Sequence, residues 1–161
     1  MRDLIETLEK QLKQLDELLH LLRQETGELS GIQLEAMAET TSRKEQVSSQ
    51  IEDQAATIRT QLEAAAAREG LPPRTRLGEL AERYSRKGLH DLTRLHTRLN
   101  HTAEEVRQTL ALNREIAERF SSSIGQTLDL MTRVINQAST YGASGGYQQQ
   151  KVSAVIINRE A

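Results

Sequence analysis

Apolar residues at Ile5, Leu8, Leu12, Leu15, Leu19 and Leu22 recur at alternating steps of three and four. That period lays one stripe along a helix and is the spacing of a seam between supercoiled helices. A strand, whose side chains alternate at every residue, has no use for it. Leu4 and Leu18 widen the stripe into a face that suits a bundle better than a two-stranded zipper. A longer seam follows near the other end of the chain. It reads Leu92, Leu95, Leu99, Val106, Leu110, Asn113, Ile116, Phe120, Ile124, Leu128, Met131 and Ile135. At 1.5 Å per residue, a helix of about fifty residues extends about 75 Å. Such a helix needs a partner of similar length, and the preceding segments supply one.

Breaks between the seams set the elements. Gly27 and Gly31 bracket Glu28-Leu29-Ser30 and predict a turn or kink. The next apolar series is thinner: Leu34, Met37, Val47, Ile51, Ala55, Ile58, Leu62 and Ala65. Between Met37 and Val47 the run AETTSRKEQ is polar all round, so a helix there crosses solvent or packs only lightly. Gly70-Leu71-Pro72-Pro73 stops this helix firmly, because two prolines cannot continue it. A short helix with Leu77, Leu80, Ala81 and Tyr84 on one side comes next, and Gly88 ends it. Helices are therefore expected at about 3–27, 32–69, 74–86 and 89–141. The fold class is all-α, an elongated antiparallel helical bundle or coiled-coil hairpin over residues 1–141. Beyond Tyr141 the chain reads GASGGYQQQKVSAVIINREA. Its glycines predict a flexible C-terminal tail over 142–161, closed by the apolar cluster Val152–Ile157.

Composition removes most other classes. Aromatics are 2% of the 161 residues, with no Trp, so a ring-filled globular core is not available. Ala, Glu, Leu, Lys and Arg make up about half of the chain, as in long helices and coiled coils. With 21 basic and 23 acidic residues the net charge is −2, and no global positive field exists for nucleic acid. There is no Cys, which removes disulfides, thiolate metal sites and Cys nucleophiles. The opening MRDLIETLEKQLKQ is charged rather than signal-like, and no apolar run is long enough for a membrane span. A cytoplasmic location is expected.

Sites for chemistry are weak. His20, His90, His96 and His101 lack the i, i+4 spacing for a shared ion. Glu17 and His20 match one Glu-x-x-His half of a di-iron bundle, but no second half exists. No phosphate-loop motif occurs, and Ser121-Ser122-Ser123 has no His four residues away. Catalytic residues, metals and cofactors are expected to be none, and the chain is not read as an enzyme. Asn113 occupies a seam position, where a buried amide fixes register; a small helix rotation would instead leave it at the edge of solvent. The sharper signal is partner binding. Leu128, Leu130, Met131, Val134 and Ile135 make a surface wider than one seam requires. Val152, Val155 and Ile156 fit one face of a helical turn, while Val152, Ala154 and Ile156 fit one face of a strand. A cluster too short to bury itself orders on a partner or docks back on its own bundle. Tyr141 and Tyr147 flank the joint between these two surfaces.

The order of these pieces resembles the FlgN-type flagellar export chaperones. The resemblance rests on the opening LEKQLKQLDELLHLLRQE, the polar second helix with Lys44 in SRKEQV, and the short LGELAERY segment. It continues through the final LNREIAERFSSSIGQTLDLM, in which Asn113 stands a few residues before the second apolar stretch, and the ending TYGASGG. Ala143-Ser144 stands where the family more often has an acidic turn. The resemblance implies a chaperone of flagellar type III export. Its partners would be the first and third hook-associated proteins, held through their adhesive terminal helices, and the export apparatus. Binding would lie in the C-terminal region, with no covalent chemistry, in a monomer or weak dimer. The competing reading is a structural coiled-coil adaptor that homo-oligomerises through the Leu8–Leu22 seam.

Overall fold

The computed structural model describes the backbone of residues 1–140 and the side chains of residues 1–135. Within them the chain is all-α, with helices α1 (Arg2–Gly31), α2 (Leu34–Arg68), α3 (Leu77–Ser85) and α4 (Asp91–Thr140) and no strand. No helix among the described residues is long and apolar enough to cross a membrane. Met1–Ala117 forms one compact unit and a second begins at Glu118.

The turn expected at Gly27–Gly31 lies later. α1 runs through Gly27 without a break and ends at Gly31, followed by Ile32 at φ 55, ψ 45. The Ile32 N–H donates to the Leu29 carbonyl and the Gln33 N–H to the Glu28 carbonyl, which closes the helix in a left-handed Schellman turn. Gly27 is tolerated because a helix interior accepts glycine at about 1 kcal/mol relative to alanine. α3 is shorter than the expected 74–86, since Pro72 and Thr75 form their own turn through the Thr75 N–H and hydroxyl.

α1 and α2 form an antiparallel hairpin. Gln14 meets Gln50 and Gln54, Glu17 meets Arg43, Glu25 meets Lys44, and Glu28 meets Thr40. α4 returns parallel to α1: Thr102 donates to Asp16, Arg23 pairs with Glu105, and Asn113 reaches Leu22. The apolar core sits at the α3 end. Leu4, Leu8 and Leu12 pack with Ala65, Leu80, Ala81, Leu92, Leu95 and Leu99. Ala66, with no exposed surface, marks where the alanine run lets helices approach closely.

α3, only nine residues long, is too short to be stable alone. Leu80, fully buried, anchors it to the core. A polar latch adds to this: Glu69, at the end of α2, accepts from Lys87 and pairs with Arg83, with its side chain only 10% exposed. The Lys87 hydrogen bond, opposed by burial and reinforced by the Tyr84 hydroxyl, holds the Glu69 carboxyl below its usual value. Burial first, and then the bond to Glu69, pushes the Tyr84 hydroxyl up. The Lys87 ammonium also lies over the Tyr84 ring, 5.6 Å from its centre.

Candidate functional site

Two sets of residues were singled out by the sequence, and the structure treats them differently. Asn113 is 3% exposed. Its amide donates to the Leu22 carbonyl at 2.8 Å and to Glu25 Oε2 at 2.9 Å, and its oxygen accepts from the Thr26 hydroxyl at 2.6 Å. Glu25 in turn holds Lys44 on α2. One network thus ties α1, α2 and α4 together, with every hydrogen-bonding atom of the Asn113 side chain engaged. The Lys44–Glu25 pair was not legible beforehand, although Lys44 sits in the polar run that left α2 without an apolar stripe. That run packs through hydrogen bonds and not through apolar contact. Thr40 is buried, donating to Glu28 and accepting from Gln24.

The second set lies on α4 beyond Glu118. Ser121–Ser123 and Gly125 are modest helix formers, and a Cβ built at Gly125 would meet nothing within 4 Å. The Thr127 and Thr132 hydroxyls bond back to the carbonyls of Ser123 and Leu128, four residues earlier. Every side chain from Ser121 to Ile135 is exposed. Leu128 is 58% exposed, Met131 57%, Val134 56% and Ile135 66%, with Ile124 and Leu130 also open to solvent.

At 100° per residue, Ile124, Leu128, Met131 and Ile135 share one line along the helix, and Leu130 and Val134 extend it sideways. The stripe is roughly 160° wide, with Asp129, Thr132 and Arg133 on the opposite side. Leu110, expected on the inward seam, is likewise exposed at 53%. The covered part of the α4 seam therefore gives out around Asn113, because the hairpin helices that face it end near Gly31. Of the remaining residues with an expected partner role, Tyr141, Tyr147, Val152, Val155 and Ile156 lie outside the described residues.

Chemical alternatives find little to work with. Among the described residues no group of three or more His, Asp or Glu is placed to hold a metal ion. Glu17 is engaged by Arg43, and His20 is exposed. The Ser85 hydroxyl and His90 Nδ1 lie 3.0 Å apart on the surface of the α3–α4 turn. The neighbouring Asp91 is occupied by Arg94, so no carboxylate is seen orienting that imidazole. What the site offers is a wide, exposed apolar stripe with Met131 in it, suited to packing against another helix.

No curated protein and no solved structure matches the chain significantly. The family model described as FlgN protein does match, over residues 1–149. That span takes in all four helices and the exposed stripe, and by it the chain belongs to the FlgN family of flagellar export chaperones.

Proposed function

We propose that this protein is a cytoplasmic export chaperone that holds the hook–filament junction proteins, the first and third hook-associated proteins, before secretion. In this reading the stripe Leu128, Met131, Val134 and Ile135 receives the adhesive terminal helices of those clients. Tyr141, Tyr147, Val152, Val155 and Ile156 complete the surface. The observation that carries the reading is the exposure of the whole apolar stripe from Ile124 to Ile135. A helix of this composition is marginal alone in water and gains stability when its apolar face is covered. Covering the clients' terminal helices prevents their premature assembly and leaves them unfolded enough to be handed to the export apparatus. No bond is made or broken in such a cycle.

The alternative, self-assembly through the Leu8–Leu22 seam, has less support. Leu8, Leu12, Leu19 and Leu22 are each 5% exposed or less within a single chain, so the seam is already occupied. That burial supports reading the chain as a monomer or weak dimer. Copurification with the terminal helices of the hook-associated proteins is the test. Removing residues 142–161 should leave helicity intact and weaken client retention. Unchanged retention would confine the site to α4.

A further inference from the structure

The α1–α2 turn holds a residue ill-suited to its backbone. Ile32 occupies the left-handed position after α1, with φ 55. Glycine is the usual residue there because a Cβ crowds the neighbouring carbonyl, and a β-branched side chain crowds it most. Gly31 is one position too early to take that role. The side chain held in this way is not used for packing: Ile32 is 56% exposed and Leu34 61%. Leu29 and Met37, to either side, are only half-buried. An apolar tip is thus kept in solvent on a strained turn.

The charge around this tip has one sign. From Gln24 to Ser42 the chain carries four glutamates and no Lys, Arg or His. Glu25 is neutralised by Lys44. Glu28 is 5% exposed, its Oε1 accepts from Gln24 and Thr40, and its Oε2 has no partner among the described residues. Glu35 and Glu39 are exposed, with no cation in salt-bridge reach among the described residues. Two exposed carboxylates, Glu35 and Glu39, therefore give the segment around the exposed Ile32 and Leu34 a negative field.

We propose that this hairpin tip is a second docking surface, one that takes a basic amphipathic helix of a partner protein. Its apolar residues would cover Ile32 and Leu34, and its Lys and Arg side chains would face Glu35 and Glu39. An anionic membrane is repelled by the same field, and so is the tip of a second copy. The surface lies wholly within the Met1–Ala117 unit, so it stands or falls separately from client binding on α4.

The test uses the full chain and a fluorescent helical peptide of Leu and Lys, read by anisotropy at low and moderate salt. The peptide should bind in a salt-sensitive way, and its Leu–Glu counterpart should not. Ile32→Gly with Leu34→Ser, and separately Glu35→Lys with Glu39→Lys, should each weaken binding roughly tenfold or more. Met131→Asp with Ile135→Asp should leave it unchanged. Ile32→Gly alone should raise the melting temperature while lowering peptide affinity, a split that a purely structural role does not produce. Wild-type affinity in both tip variants would overturn the proposal. So would a dimer that the tip variants dissociate, or binding to phosphatidylglycerol vesicles that they abolish.

Discussion

Asn113 and Glu28 are both polar side chains buried where an apolar residue would pack, yet they are held differently. Asn113 has all its donors and its acceptor engaged, whereas one oxygen of Glu28 has no partner among the described residues. The physics of burial separates them. Removing one member of a satisfied network leaves the others desolvated and unpaired, at a cost of about 1–3 kcal/mol. Asn113→Ala should therefore lower stability by about that amount in urea denaturation, with Thr26 and Glu25 losing their partner. Glu28→Gln removes a buried charge that has no cation, and should leave stability unchanged or raise it by about 1 kcal/mol. The seam position of Asn113 was legible from the spacing of Leu110 and Ile116. Its partners were not, because Leu22, Glu25 and Thr26 lie some ninety residues earlier and no local period points to them.

Elements differ in what holds them. α1 and the first part of α4 are held by leucines at heptad spacing, and their burial follows directly from the sequence pattern. α2 is so held only in part: beside the buried Val47, its polar stretch is secured by Gln14 with Gln50 and Gln54, Arg43 with Glu17, and Thr40 with Glu28. Hydrogen bonds between helices leave no periodic mark, so this packing was invisible beforehand. α3 depends on tertiary contact almost entirely. Leu80→Ala should cost about 2–5 kcal/mol and expose α3 amides to hydrogen exchange before those of α1. The Glu69 latch adds a pH dependence. The Lys87 bond holds its carboxyl below the usual carboxylate value, so its stabilisation is present above the ordinary value and is lost as the pH falls through the lowered one. The melting temperature of the native chain should exceed that of Glu69→Gln at neutral pH, and the gap should close in acid. A gap that persists in acid would remove the latch as its cause.

Taken whole, the molecule divides its apolar residues between two uses. Most of those before Leu110 cover one another in the Met1–Ala117 unit, Ile32, Leu34 and Leu89 excepted, and those from Ile124 to Ile135 remain open. The extra width at Leu128, Leu130, Met131, Val134 and Ile135 marked this surface in the sequence, but the heptad positions did not mark where cover ends, because Leu99 and Leu128 stand at similar positions in one continuous seam. What decides between them is where the facing helices stop, and Gly31 is where α1 stops. The glycines of that region suggested a turn, but the Schellman closure at Ile32 set its actual place. The most direct test is titration calorimetry of the full chain against terminal-helix peptides of the hook-associated proteins. Met131→Asp with Ile135→Asp should weaken binding by roughly tenfold or more, with helicity by circular dichroism preserved. Equal affinity in the native and doubly substituted chains, at equal helicity, would contradict the assignment of client binding to the exposed stripe of α4.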